Sequence, residues 1–423
     1  MKLKLLSVII ISLISQYSIA NNIEDNINEE VPVEVLKNFI DVYHVVKTNY
    51  VDPVDSQKLM YDAMKGMVAN LDPHSQFLDK SEREDLMSGI NGEFAGIGVE
   101  IQVVAKGLKV IAPIDSTPAQ RAGMKSGDLI YKINDILLST LTTPNEGLKY
   151  LKGNPGEKVS VSVMRDKKEM TFEMKKEIIK VKTTKSNLIE NKYGYVKVNI
   201  FQKDTALELS NAITTMNKTK ALEGLIVDLR GNPGGLLDEA VNVSDLFLDD
   251  AVVTYTKDRA GDKRYYKAKD GQIVRNVPLV ILVDGGSASA SEIVAGALQD
   301  HKRAILIGSR TFGKGSVQNI IDFSDGTAVK LTTARYYTPS GRSIQATGIV
   351  PDVVINDMSV KNNAATKRIS EKDLSGHISN DTKTQDDKKP VKVINESFNV
   401  DPEKDYYLYE AINTLKIMGL SKR

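Results

Sequence analysis

Three short apolar runs constrain the fold of this chain more than any other feature. They span residues 225–229, 279–283 and 304–307, and each leads into a loop rich in glycine or serine. Helical patterns follow the first two. Strands that are apolar on both faces and alternate with helices are typical of a parallel sheet covered on both sides. In such sheets catalytic groups collect on the loops at the carboxyl ends of the strands.

The second run is followed by a serine-rich turn, Gly-Ser-Ala-Ser-Ala-Ser-Glu at residues 286–292. Small residues allow a hydroxyl to stand at a strand end beside backbone N–H groups, but the serine needs a neighbouring base to become a nucleophile. None of the four histidines lies in a comparable turn, whereas Lys314 stands in a Gly-Lys-Gly loop. The serines also suit the cap of the following helix, with Glu292 completing a capping box, so the turn alone leaves both interpretations open.

Three loops are therefore predicted to converge on one site. A lysine is a poor base at its ordinary pKa of about 10.4, so apolar burial must favour its neutral form. A glutamine four residues later would orient the amine, and two backbone N–H groups would form an oxyanion hole. The candidate catalytic residues are Ser289, Lys314 and Gln318, and the candidate oxyanion donors are Ala290 with Gly234 or Gly235.

Residues 308–314 also fit a nucleotide-binding loop up to the lysine. Gly315 then stands where a serine or threonine would bind magnesium, and strand patterns rather than a helix follow. Both departures exclude nucleotide binding.

Residues 91–178 have the succession of short strands and glycine turns of a PDZ domain. PDZ domains bind a C-terminal carboxylate through backbone N–H groups and add the peptide to a sheet edge. The predicted carboxylate loop is Gly96-Ile97-Gly98-Val99, although its glycines would also be explained by a tight turn.

The flanking segments differ in character. Two lysines, an apolar stretch and small residues ending at Ala20 predict a signal peptide over residues 1–20, with an uncleaved anchor as the alternative. A helical module is predicted over 33–90, and its apolar stripe suits either an internal core or a dimer contact. Residues 357–400 are polar and predict a flexible linker, and 401–420 regain helical periodicity.

Composition excludes several functions. The net charge of +1, the aromatic content of 6% and the absence of tryptophan argue against nucleic acid as a partner. The chain has no cysteine, which removes disulfides, thiolate zinc sites and cysteine catalysis, and the scattered histidines predict no metal site.

On these motifs the chain resembles the carboxy-terminal processing (tail-specific) proteases. The matching stretches are 71–75, the PDZ segment, 228–235, 286–298, 313–318 and 330–341. The resemblance implies a multidomain α/β protein, with a PDZ domain over 91–178 and a crotonase-like α/β serine protease core over 179–356. It also implies that Ser289 is the nucleophile, Lys314 the base and Gln318 the third member.

In such a protease, tails of protein substrates bind the PDZ domain and are cleaved through an acyl-enzyme, without cofactor or metal. The predicted signal peptide indicates export, with a Gram-negative periplasm as the expected destination. Control by an adaptor protein and control by a homodimer through the N-terminal helices are both compatible with the sequence. The rival from another class is a catalytically silent PDZ adaptor, which would not need the Ser289–Lys314 pair.

Overall fold

The computed structural model describes residues 32–355 and 404–420. The predicted signal peptide and the predicted linker over 357–400 lie outside the described residues. The described chain forms two compact units. Residues 32–79 and 321–331 make the first, and residues 80–320, 332–355 and 404–420 make the second.

The first unit contains α1 (Val33–Asn49), α2 (Ser56–Ala69) and β1 (Gln76–Leu78), and β1 pairs antiparallel with residues 328–330. Helix α2 begins where Asp55 accepts the backbone N–H of Lys58 at 2.8 Å. No residue of α1 is buried against the described part of the chain. Its apolar stripe therefore forms no internal core there, and the predicted dimer contact stays a prediction.

The second unit begins with a helix and a small β domain. A six-stranded sheet has the order β3-β4-β5-β7-β8, with β6 paired to β5 as its sixth strand, and a separate two-stranded ribbon joins β2 to β9. The side chains of Leu108, Ile130 and Val161 are fully buried in its core. The elements are α3 (Lys80–Asn91), β2 (Glu93–Gly96), β3 (Val99–Val104), β4 (Gly107–Pro113), α4 (Pro118–Ala122), β5 (Leu129–Ile133), β6 (Ile136–Leu137), 3-10 turns Leu138–Thr140 and Pro144–Gly147, α5 (Leu148–Leu151), β7 (Lys158–Arg165), β8 (Lys168–Lys175) and β9 (Glu177–Lys180).

The rest of the second unit is a layered α/β structure. Its elements are β10 (Thr184–Ile189), β11 (Tyr193–Val198), α6 (Thr205–Thr219), β12 (Gly224–Asp228), α7 (Leu237–Asp245), β13 (Val252–Asp258), β14 (Lys263–Lys267), β15 (Leu279–Val283), α8 (Ala290–Asp300), β16 (Ile305–Gly308), β17 (Ser316–Asp322), β18 (Ala328–Tyr337), β19 (Val353–Val354) and α9 (Tyr406–Leu420). The main sheet has the order β10-β11-β12-β15-β16-β19, and only its β10–β11 pair is antiparallel.

Every residue of β12 and β15 is buried. Alternate side chains such as Val227 and Ile281 pack with α6, α7 and α8 on one face, while Ile226 and Val280 pack with α9 on the other. This confirms the multidomain α/β class and the parallel sheet covered on both sides. In a second sheet, β13 lies between β14 and β18 with antiparallel pairing on both sides.

Candidate active site

Ser289 occupies a strained turn between β15 and α8. Its backbone has φ 55° and ψ −113°, an uncommon combination for a residue with a side chain. Strained strand-to-helix turns of this kind expose the nucleophile of other hydrolases at the edge of a sheet. The side chain is partly exposed, so a substrate has access to it.

The structure distinguishes the three alternating serines. The hydroxyl of Ser287 donates to the carbonyl of Leu229 at 2.8 Å, and that of Ser291 donates to the carbonyl of Asn232 at 3.0 Å. Both side chains are fully buried. Their protons are therefore committed to backbone acceptors, which leaves Ser289 as the serine of this turn suited to nucleophilic attack.

Glu292 connects the serine turn to the lysine loop. Its fully buried carboxylate accepts the backbone N–H groups of Ser289 at 2.8 Å, Gly313 at 2.7 Å and Lys314 at 2.9 Å, and the hydroxyl of Thr311 at 2.6 Å. Burial raises the pKa of this carboxyl, and the four hydrogen bonds oppose the rise. The capping box expected from the sequence is thus part of the site, since the capping carboxylate also fixes the loop of the candidate base.

Tyr336 adds a second connection. Its hydroxyl donates to the carbonyl of Lys314, and its backbone N–H donates to the carbonyl of Gly315 at 2.9 Å. Burial and the charge of Glu292 raise its pKa, while a hydrogen bond with the Ser289 side chain opposes the rise. The phenol therefore lies beside both the candidate nucleophile and the main chain of the candidate base.

Gln318 is held by two hydroxyls. Its amide nitrogen donates to Ser316 Oγ at 2.9 Å and to Thr332 Oγ1 at 3.1 Å. In this orientation the amide oxygen remains available as an acceptor. An amide oxygen suits the orientation of an amine, the role predicted from the sequence.

The two candidate glycines differ in their N–H groups. The N–H of Gly234 donates to Asn232 Oδ1 at 2.9 Å, whereas those of Gly235 and Ala290 donate no hydrogen bond within the described residues. A Cβ on Gly234 would lie 2.8 Å from Cβ of Ser289, so only glycine allows this loop to approach the serine turn. Gly235 and Ala290 are therefore better suited than Gly234 to bind an oxyanion.

The glycine loop of the small β domain lies away from these residues in sequence and enters an edge strand. Gly96 ends β2, Val99 begins β3, and β3 pairs on one side only, with β4. The backbone N–H groups of Ile97 and Gly98 donate no hydrogen bond within the described chain. Gly98 has φ 77°, and an added Cβ would lie 2.3 Å from Cβ of Thr117. Free N–H groups beside an open strand edge are what capture of a C-terminal carboxylate requires.

A partly buried ion-pair network anchors α9 next to the glycine loop that follows β12. Arg230 donates to both oxygens of Asp405 at 2.8 Å, and also to Asp228 at 2.7 and 3.0 Å. The hydroxyl of Tyr195 donates to Asp228 at 2.7 Å. Burial alone would lower the pKa of Arg230, but the bonds to Asp405 and Asp228 raise it above its ordinary value. The C-terminal helix is therefore tied to Arg230, the second residue after β12.

Sequence reasoning treated Glu292 only as a cap and did not single out Tyr336, Asn232 or Asp405. The capping motif signalled Glu292. Nothing local marks Tyr336 or Asp405, because their partners are distant in sequence, and Asn232 was not singled out although its partner Gly234 is two residues away. In the ranges that the structure describes, no group of three or more histidine, aspartate or glutamate side chains is placed to hold a metal ion. No helix among those ranges combines the length and apolar character needed to cross a membrane.

Comparison with known proteins matches three family models to the chain. The model of peptidase family S41 matches residues 192–355, a PDZ domain model matches 95–175, and the model of the N-terminal domain of the activating protease CtpB matches 12–82.

Relatives match the chain over most of its length. A carboxy-terminal-processing protease of Bartonella bacilliformis is 41% identical over 358 residues, covering 83% of this chain and 82% of the relative. A probable CtpA-like serine protease of Staphylococcus aureus is 36% identical over 318 residues, and the alignment spans 74% of this chain and 64% of that protein. Among solved structures, the photosystem II D1 C-terminal processing protease aligns with 30% identity and a TM-score of 0.46, covering 75% of this chain and 92% of that one.

Proposed function

This chain belongs to the carboxy-terminal-processing proteases of peptidase family S41, with a PDZ domain, and on that basis we propose that Ser289 cleaves protein substrates near their C-terminal ends. The observation that carries this assignment is the commitment of Ser287 and Ser291 to backbone carbonyls, which leaves Ser289 in the strained turn. The family resemblance drawn from the sequence is confirmed, and so is the serine-type endopeptidase class.

In the proposed mechanism Ser289 Oγ attacks the scissile carbonyl while its proton passes to the neutral amine of Lys314. The oxyanion is stabilised by the N–H groups of Ala290 and Gly235, worth roughly 3–4 kcal/mol per donor in comparable sites. The protonated lysine then returns the proton to the leaving amine, which gives an acyl-enzyme. Water hydrolyses the ester with Lys314 again accepting the proton, and Gln318 orients the amine throughout.

Substrate selection is proposed to begin at the PDZ domain. The tail carboxylate would accept the N–H groups of Ile97 and Gly98, and the preceding residues would add a strand to the open edge of β3. The free N–H groups and the unpaired edge support this assignment. Gly96 and Val99 would frame the loop.

Export and assembly complete the proposal. Residues 1–20 would direct secretion and be removed after Ala20, which places the mature protease in a periplasm. The exposed apolar side chains of α1 suit a homodimer through the N-terminal helices, and an adaptor protein is the alternative form of control. The domain bounds predicted from the sequence are part of this proposal.

The test is mass spectrometry of a loosely folded protein with an apolar C-terminal tail, incubated with the wild type, Ser289→Ala and Ser291→Ala. We expect processing from the C-terminal end by the wild type and by Ser291→Ala, and none by Ser289→Ala. Turnover by Ser289→Ala would overturn the assignment of the nucleophile. Tail binding without cleavage by any of the three would favour the silent PDZ adaptor.

A further inference from the structure

A row of cations crosses three adjacent strands on the outer face of the second sheet. Lys263 of β14 lies opposite Lys257 of β13, which in turn lies opposite Arg335 of β18. All three are exposed. The alternate residues Thr256 and Tyr336 are buried, so the cation row faces away from the core.

A parallel row of tyrosines lies two residues along each strand. Tyr255 lies between Tyr265 and Tyr337, with ring centroids 5.3 and 5.1 Å away, and its ring stacks on that of Tyr337 at an angle of 9°. Lys263 Nζ lies 5.0 Å from the centroid of the Tyr255 ring. The two rows give this face positive charges and phenol groups and no carboxylate.

The cation row brings like charges together, and among its members a contact with the Tyr255 ring offsets this only for Lys263. Like charges directly opposite each other across strands are destabilising. No acidic residue of the described chain forms an ion pair with any of the three cations. Lysines on edge strands discourage unwanted pairing, which accounts for Lys263 but not for Lys257 and Arg335 on inner strands. A ligand of opposite charge would account for all three.

The edge of β14 indicates which class of ligand would bind here. This strand is the last in its sheet, so its outer N–H and C=O groups have no partner strand within the described residues. Only an extended polypeptide satisfies alternating donors and acceptors along an edge, whereas phosphates and lipid headgroups accept only. We propose that the β14 edge and the cation row Lys263, Lys257 and Arg335 bind an extended acidic segment of a substrate or partner protein as an added strand.

This site differs from the PDZ loop in what it recognises. It would recognise the acidic side chains and the backbone of an internal segment, while the loop at Ile97 and Gly98 suits a free terminal carboxylate. A protein with an acidic internal stretch and an accessible tail would then be held at two points, which raises the effective concentration of its tail at the PDZ domain.

The test measures binding of a fluorescent peptide of alternating glutamate and threonine, roughly twelve residues long and amidated at its C-terminus so that the PDZ loop has no carboxylate to bind. We expect Lys257→Gln/Lys263→Gln/Arg335→Gln to raise its Kd by about tenfold and to weaken the salt dependence. The matched control Lys182→Gln/Lys185→Gln/Lys218→Gln removes three exposed lysines, one of them on the edge strand β10, and should leave the Kd unchanged. Circular dichroism should show both variants folded.

Two further probes decide the mode of binding. A peptide methylated on alternate backbone nitrogens should bind more weakly, and equal binding would overturn the added strand. Binding of phosphatidylglycerol vesicles but not of the peptide, lost in the first triple variant, would overturn the proposal in favour of a lipid surface. Cleavage of an uncharged tail substrate should be the same in both triple variants, so failure of the protease assignment would be seen separately.

Discussion

The carboxylate of Glu292 accepts the backbone N–H of Lys314 at 2.9 Å, and the same side chain accepts the N–H of Ser289 at 2.8 Å. One buried group therefore sets the position of the proposed base relative to the proposed nucleophile. Two residues that lie on separate loops, 25 positions apart, are held by a side chain on the first turn of α8.

Replacing Glu292 with glutamine should lower kcat by about 100-fold, because displacements of about 1 Å in a catalytic arrangement have effects of that size. In the variant the amide nitrogen, itself a donor, would face a backbone N–H that in the wild type donates to a carboxylate oxygen. Steady-state kinetics on a tail substrate measure the effect. The control is Thr311→Val, which removes one of the four donors and should cost less than tenfold. Unchanged kcat in Glu292→Gln would show that the carboxylate is only a helix cap.

The pKa of Glu292 predicts how its contribution depends on pH. Burial raises that pKa in the folded protein, so the unfolded chain loses this proton first as the pH increases. A carboxyl of this kind adds stability below its unfolded pKa of about 4.3 and loses it as the pH rises through the folded pKa. Urea unfolding over a pH series should therefore show the free energy of unfolding of the wild type falling relative to Glu292→Gln. If the wild type instead gained stability relative to Glu292→Gln as the pH rose, the raised pKa of Glu292 would be contradicted.

Lys314→Arg should abolish turnover, although it keeps a long basic side chain at this position. A guanidinium stays protonated, so it cannot accept the proton of Ser289. Single-turnover cleavage measured by mass spectrometry is the check. Binding of a tail peptide that contains no amino group would show that the PDZ domain is intact. Rates near those of the wild type would remove Lys314 from the role of base.

Tyr336→Phe should lower kcat by about tenfold with KM unchanged. The change leaves the carbonyl of Lys314 without its buried donor, a cost of about 1–3 kcal/mol, and removes the hydroxyl beside Ser289. Tyr337→Phe is the matched control, because the neighbouring ring lies on the outer face of the same strand. Equal kinetics for the two variants would restrict Tyr336 to a packing role.

Asp405→Asn should lower the free energy of unfolding by about 2 kcal/mol, since it removes the charge from one of two carboxylates that surround the half-buried Arg230. Burial would raise the pKa of Asp405, but its bonds with Arg230 lower it overall, so this contribution should be present at neutral pH and be lost on acidification. Urea unfolding is the measurement. Lys416→Gln, at an exposed position of the same helix whose ion pair with Glu190 lies at the surface, should change stability by less than about 1 kcal/mol.

The sequence was sufficient for what depends on local pattern. The apolar runs predicted β12, β15 and β16, and the small residues around Ser289 predicted a tight turn, because strand burial and turn chemistry are encoded within a few residues. The sequence alone left Gly234 and Gly235 equivalent. Their difference arises from the side chain of Asn232, which occupies the N–H of one and not of the other.

The parts that could not be predicted are long-range contacts. Asp405 follows Arg230 by 175 positions, and Tyr336 follows Lys314 by 22, so no spacing rule connects either pair. The cation row could not be predicted from the sequence either, because its three residues come together only through the register of β14, β13 and β18.

The backbone of Ser289, at φ 55° and ψ −113°, is one that glycine adopts freely and serine adopts at a cost of about 1–3 kcal/mol. A glycine there would remove the hydroxyl and the strain together. The proposed chemistry and the stability of the fold make opposite demands on this residue. Mutation under selection for solubility and abundance alone would therefore replace the proposed nucleophile more readily than its buried neighbours. An inert, better-folded descendant is one substitution away from this chain.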